Sequence, residues 1–150
     1  MQVIKNTQRA QVARNYSGSF TKFFNGPSKV QRFRNEVRVL QFLNSQSCPF
    51  VPSLLAFDEV ELSITTSYAG EPIQRITEER LSGVFEELQE YGVRHDDPAQ
   101  RNVLYNHALG RFTLIDFEFA EILEPCEATL EAIDGRFDRL EAVIDEACVI

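Results

Sequence analysis

The chain has no tryptophan, one methionine, seven glycines and six prolines in 150 residues. That composition excludes collagen-like and low-complexity classes. Its three cysteines, Cys48, Cys126 and Cys148, are an odd number with no C-x-x-C spacing. They form neither a disulfide framework nor a zinc set, and the expectation is a protein of a reducing, cytoplasmic compartment whose thiols behave as small hydrophobes. No secretory leader pattern and no apolar run of membrane length is present, so no membrane partner is expected. No sustained run of Lys and Arg with interleaved aromatics occurs either, which argues against nucleic acid as a partner.

What charge there is lies unevenly. Residues 1–60 carry eight Lys/Arg against three Asp/Glu, net +5, while residues 61–150 carry seven against twenty, net −13. Such asymmetry suits a basic, phosphate-facing first part and an acidic second part that carries metal ligands. The length fits one domain, or two small lobes sharing a cleft.

Alternation and turn residues predict short strands over Met1–Ile4, Gln11–Tyr16 and Ser19–Phe24. In the last of these Phe20 and Lys22 share a face, and a lysine on a central strand needs a partner or a route to solvent. After Gly26-Pro27, with Ser28 as the expected cap, Val30, Phe33, Val37, Leu40 and Leu43 recur at helical spacing, and Glu36 lies at the edge of that stripe. Phe50–Phe57 and Glu61–Tyr68 read as two further strands around a turn at Asp58-Glu59, and Ala69-Gly70-Glu71-Pro72 then breaks the sheet. Thr77 caps a second helix with a stripe of Leu81, Val84, Phe85, Leu88 and Tyr91, stopped by Gly92. A hairpin of Val103–Tyr105 and Phe112–Ile115 follows, and beyond Pro125 apolar residues from Leu130 to Ile144 keep a helical rhythm that suits core packing or a homodimer contact.

Chemistry is concentrated between Tyr91 and Ala120, where His95, Asp96 and Asp97 precede Asn102 and an apolar strand ends in Asp116. Magnesium takes oxygen ligands in octahedral geometry, commonly one or two carboxylates plus substrate phosphates, and Asn102 and Asp116 suit that role. A further carboxylate beside the metal orients an attacking hydroxyl and accepts its proton; Asp97 is the candidate. The hairpin puts Asn102 at the start of one strand and Asp116 at the end of its antiparallel neighbour, so both belong to one end. The competing reading makes the same residues turn, cap and strand-end polar groups.

His95-Asp96-Asp97-Pro98-Ala99-Gln100-Arg101-Asn102 resembles the H-x-D-x-x-x-x-N catalytic loop of the protein-kinase-like phosphotransferase superfamily, and Leu114-Ile115-Asp116-Phe117-Glu118 resembles its D-F-G segment with Glu for Gly. The pattern is similar to that of small kinase-like proteins of fungi and bacteria and of aminoglycoside phosphotransferase-type kinases. The resemblance implies an α+β, two-lobed protein-kinase-like fold, with a small N-terminal antiparallel sheet and one helix in residues 1–69 and a truncated helical C-lobe in 70–150. It implies ATP and Mg2+ as cofactors and transfer of the γ-phosphate to a hydroxyl-bearing acceptor, protein or small molecule. It maps Lys22 onto the phosphate-contacting lysine, Glu36 onto its helix partner, Asn102 and Asp116 onto the metal ligands and Asp97 onto the catalytic base. It also places His95 against the metal-binding segment and adenine against the backbone of Ser67 to Ala69.

The chain departs from the family in four places. No glycine-rich loop precedes Lys22, so phosphate binding is left to Lys22, metal, and Lys5, Arg9 or Arg14. Asp96 stands where regulated protein kinases have arginine, and no Ala-Pro-Glu segment follows Phe117. Glu118 resists backbone conformations that glycine permits, and its carboxylate is expected either at the metal or in an ion pair. Three functions therefore stay open: an active kinase, a pseudokinase acting as a nucleotide- or protein-binding regulatory module, or a purely structural partner protein using its C-terminal helices.

Overall fold

The computed structural model describes residues 2–123. Short alternating segments joined by tight turns form an antiparallel five-stranded sheet. Its strands are β1 (Gln2–Asn6), β2 (Ala10–Arg14), β3 (Phe20–Phe24), β4 (Leu54–Asp58) and β5 (Ser63–Thr66), in the spatial order β1-β2-β3-β5-β4. Strand β3 is thus central, with Lys22 opposite Val12 on one side and Ile64 on the other. Asp58 closes the β4–β5 turn by accepting the N–H groups of Val60 and Glu61 through its carboxylate, the side-chain turn that Asp favours.

Helix α1 (Lys29–Ser45) crosses behind this sheet and contains neither Gly nor Pro. Its start differs from the expectation: Ser28 occupies the cap position but sits at φ 57°, and its side chain makes no capping bond. The helix ends where Ser47 turns left-handed at φ 56° and the Cys48 N–H returns to the Leu43 carbonyl at 3.1 Å. Phe33, Val37, Leu40 and Leu43 are fully buried along one face, each contributing roughly 1.5–3 kcal/mol by leaving water. Phe33 packs edge-on against Phe24 at 5.8 Å.

Helix α2 (Glu78–Glu90) is capped as the sequence indicates, with the Thr77 hydroxyl accepting the Arg80 N–H at 3.2 Å. Gly92 ends it at φ +87°. A second, three-stranded sheet contains β6 (Glu71–Pro72), β8 (Val103–Asn106) and β9 (Arg111–Leu114), and a two-stranded one pairs β7 (Val93–Arg94) with β10 (Glu121–Ile122). Glu71-Pro72, expected only as a break, leaves the first sheet and becomes an edge strand of the second, where a missing proline N–H is tolerated. Gly70 makes the crossing possible: at φ +148°, a Cβ there would stand 2.6 Å from the Tyr105 carbonyl oxygen.

One hydrophobic core runs through both sheets and helices and includes Leu40, Phe50, Leu88, Val103, Leu114 and Phe117. The fold is therefore α+β, with a five-stranded antiparallel sheet and two helices among the described residues. No helix among those residues is long and apolar enough to cross a membrane. The helical rhythm after Pro125, and the dimer contact expected of it, lie outside the described residues.

Cys48 is buried beside Phe50, and burial pushes its thiol pKa up to about 11. At neutral pH a thiol-alkylating reagent is expected to modify Cys48 on the order of a hundredfold more slowly than an ordinary free thiol. Mass spectrometry of the Cys48 peptide checks this; labelling in the native state at the rate seen in denaturant refutes it.

Candidate functional site

The two larger sheets face each other across a cleft of about 1190 Å³. Lys22 projects into it from the centre of β3, and Glu36 meets it from the buried face of α1, Nζ to Oε1 at 2.8 Å. The same ammonium lies 3.2 Å from Asp116 Oδ1 and 3.3 Å from Glu118 Oε2. Burial alone would lower the Lys22 pKa, but the three carboxylates together raise it above its ordinary value. Burial raises the Glu36 pKa, an effect offset in part by the Lys22 ammonium and by the Phe117 N–H, which donates to Glu36 Oε2 at 2.9 Å.

Opposite, the chain leaves β7 into the loop of His95, Asp96 and Asp97, passes a 3-10 turn at Gln100–Asn102 and enters β8. His95 is a buried strut. Its Nδ1 accepts the Asp97 N–H at 3.0 Å, which leaves Nε2 to donate to the Ile115 carbonyl at 3.0 Å. The ring also packs against Phe117, centroids 5.3 Å apart. The Asp97 carboxylate receives two donors: Asn102 Nδ2 at 2.8 Å and Arg101 Nη2 at 2.7 Å. Its remaining surface lines the cleft.

The hairpin brings its two polar ends together as expected. Val103 pairs with Leu114, and the Ile115 N–H donates to the Asn102 carbonyl at 3.1 Å. Asn102 is buried behind Asp97, with its amide nitrogen turned onto Asp97, whereas Asp116 lines the cleft. Asp116 has φ 70°, a left-handed geometry that Asp adopts more readily than most residues and that aims the carboxylate back at Lys22. Oxygens of Glu36, Asp116 and Glu118 lie within 4.8 Å of one another. The Lys22 ammonium already sits among those oxygens, so the cluster is an ion-pair knot around a lysine.

Several placements add to or change the expectations. Glu118 pairs with Lys22 and with the buried Arg32, 3.3 Å to each. Asn35, not singled out from the sequence, donates to the carbonyls of Glu118 at 3.0 Å and Ala120 at 2.9 Å. In the β1–β2 turn the Thr7 hydroxyl accepts the N–H groups of Arg9 and Ala10 at 3.3 and 3.2 Å, so these do not form an open backbone cradle. Lys5, Arg9 and Arg14 nevertheless line the cleft. Near Tyr68, which stacks on Phe20, the Ala69 carbonyl is turned away to Thr113 and Asn106, and the Ser67 N–H is bound to Ser53. Of the backbone expected to meet adenine, those two groups are already engaged.

Comparison with protein-family models finds no match to the chain, and comparison with curated proteins finds none either.

Proposed function

We propose that the chain is a minimal two-lobed kinase-like phosphotransferase that moves the γ-phosphate of ATP to a hydroxyl acceptor, residues 1–69 and 70–150 being the two lobes. The observation that carries this reading is the arrangement of Lys22, Glu36 and Asp116, with 2.8 and 3.2 Å contacts, facing Asp97 across one cleft. Lysine on a central strand, glutamate on the helix behind it, and two aspartates at the ends of a loop and a hairpin are separate sequence signals that converge on one volume.

The donor set fits magnesium. Asp116 offers a cleft-facing carboxylate that shares its Oδ1 with Lys22, and Asn102, behind Asp97, would add an amide oxygen, both hard ligands, whereas Glu36 and Glu118 are more deeply enclosed in their ion pairs. Bound magnesium would supply charge neutralisation at the phosphates. Lys22 takes phosphate oxygens while Glu36 fixes its direction. Asp97, steadied by Asn102 and Arg101, accepts the acceptor's proton as its oxygen bonds to the γ-phosphorus and the bond to the ADP oxygen breaks. Positioning and preorganised charge supply the acceleration.

A second reading, a regulatory pseudokinase, is favoured by one observation: the Thr7-capped β1–β2 turn holds its own N–H groups. Magnesium-dependent thermal stabilisation by nucleotide without transfer to any acceptor would select it.

Isothermal titration of ATP and ADP, with and without magnesium, tests the shared premise on the wild type and on Asp116→Asn, which tolerates the left-handed backbone at 116. Magnesium-dependent binding that the variant loses is expected. No binding by the wild type up to roughly 1 mM, the upper end of usual substrate affinities, refutes the reading.

A further inference from the structure

Arg32 is almost fully buried, only 2% exposed, on α1 one turn before Glu36. Its guanidinium donates to backbone carbonyls on separate segments: Pro27 at 2.9 Å and Asn25, both in the β3–α1 connection, and Arg9 at 3.4 Å in the β1–β2 turn. The same group reaches the Glu118 carboxylate at 3.3 Å. The Arg9 carbonyl also accepts the Asn25 N–H at 2.7 Å. One planar fork therefore ties the turn over the cleft, the entry to the lysine-partner helix and the segment that carries Asp116. A lysine could hold a charge there but not this set of directions.

The 116–120 segment is gripped along its length by the same helix. Glu36 accepts the Phe117 N–H, Asn35 donates to the carbonyls of Glu118 and Ala120, and Arg32 donates to the Glu118 carboxylate. Replacing a buried ion pair by apolar residues of similar volume is often neutral or stabilising. Stability alone therefore does not account for a carboxylate placed between Arg32 and Lys22.

We infer that Arg32 and Glu118 are a positioning pair that fixes the β1–β2 turn and the Asp116 segment to α1, so that the phosphate end of the cleft has one geometry. The inference rests on the phosphotransferase reading for its purpose, and on hydrogen bonds alone for its physical content. Neither residue is assigned to reacting atoms; both act through Asp116, Lys22 and the turn.

The test compares wild type with the volume-matched double variant Arg32→Met/Glu118→Leu and with Arg32→Lys. Thermal unfolding is expected to show the double variant still folded and cooperative, melting somewhat below wild type because the Pro27, Asn25 and Arg9 carbonyls lose a donor. Amide hydrogen exchange at Phe117 and Asn25 is expected to speed by at least about tenfold, with Val39 and Leu40 in α1 unchanged, as for local rather than global opening. In titrations, magnesium half-saturation with ATP is expected to rise by about tenfold or more, as when a ligand-bearing segment loses its fixed position, while adenosine affinity stays the same. Should the double variant not fold, Arg32→Lys carries the same expectations.

Wild-type protection at Phe117 and Asn25 in a folded variant overturns the inference, whatever the nucleotide result. So does a magnesium dependence in the folded variant that is unchanged from that of a nucleotide-binding wild type. If the wild type binds no nucleotide but the two amides lose protection, the positioning pair stands and the phosphotransferase reading falls.

Discussion

If the chain transfers phosphate as proposed, Asp97→Asn is expected to lower that transfer by about 10²–10⁴-fold, the usual contribution of a positioned acid–base group, while the folded state survives. Asparagine keeps the volume of the side chain and an amide oxygen that still accepts from Asn102 Nδ2, now 2.8 Å from the carboxylate. The lost charge is felt mainly by Arg101, whose side chain is 73% exposed, and exposed pairs of this kind contribute only about 0.2–1 kcal/mol. Turnover of ATP against a panel of hydroxyl acceptors, alongside a thermal melt, separates the two effects. A variant with wild-type turnover removes Asp97 from the chemistry.

Glu36→Ala acts in the opposite way, on the fold before the reaction. Glu36 is 3% exposed and serves two buried partners, the Lys22 ammonium and the Phe117 N–H. Breaking a buried pair from one side costs about 3–5 kcal/mol. Lys22 retains Asp116 and Glu118, which holds the expected loss to about 3 kcal/mol and the fall in Tm to roughly 6–12 °C for a chain of this size. The variant also changes the alkaline limb. The Lys22 pKa is raised above its ordinary 10.5 in the folded chain, so the stability this group contributes is fully present below that ordinary value and is lost as pH rises through the folded value. Wild type is therefore expected to lose more stability than the variant above pH 10.5. Equal alkaline losses, or a fall in Tm of less than about 2 °C at neutral pH, would show that the pair holds nothing together.

The sequence made some of this site legible because its signals were local. Alternation around Lys22, helical spacing around Glu36 and the hairpin between Asn102 and Asp116 each place a side chain by period and turn chemistry alone. The long-range partners were not legible. Arg32 and Glu118 lie 86 residues apart, and an arginine beside an apolar helical stripe reads by default as a solvated residue. Its burial follows from how closely the β3–α1 connection and the 116–118 segment approach α1, which no window of sequence contains. Glu71-Pro72 shows the same limit, since a two-residue strand exists only through its partner Tyr105-Leu104. Ser28 shows another: the residue type was right for a cap, but its left-handed backbone keeps the hydroxyl from the first turn.

The backbone at Asp116 also shapes how such a chain diverges. Most side chains at φ 70° strain the hairpin end, whereas Asn, like Asp, is at home there. A single Asp-to-Asn exchange would therefore remove a charge from the cleft at little conformational cost, leaving the cleft, the hairpin and the His95 strut in place. On the phosphotransferase reading, one such exchange separates a catalyst from a silent binding module, and folding presents little barrier to it.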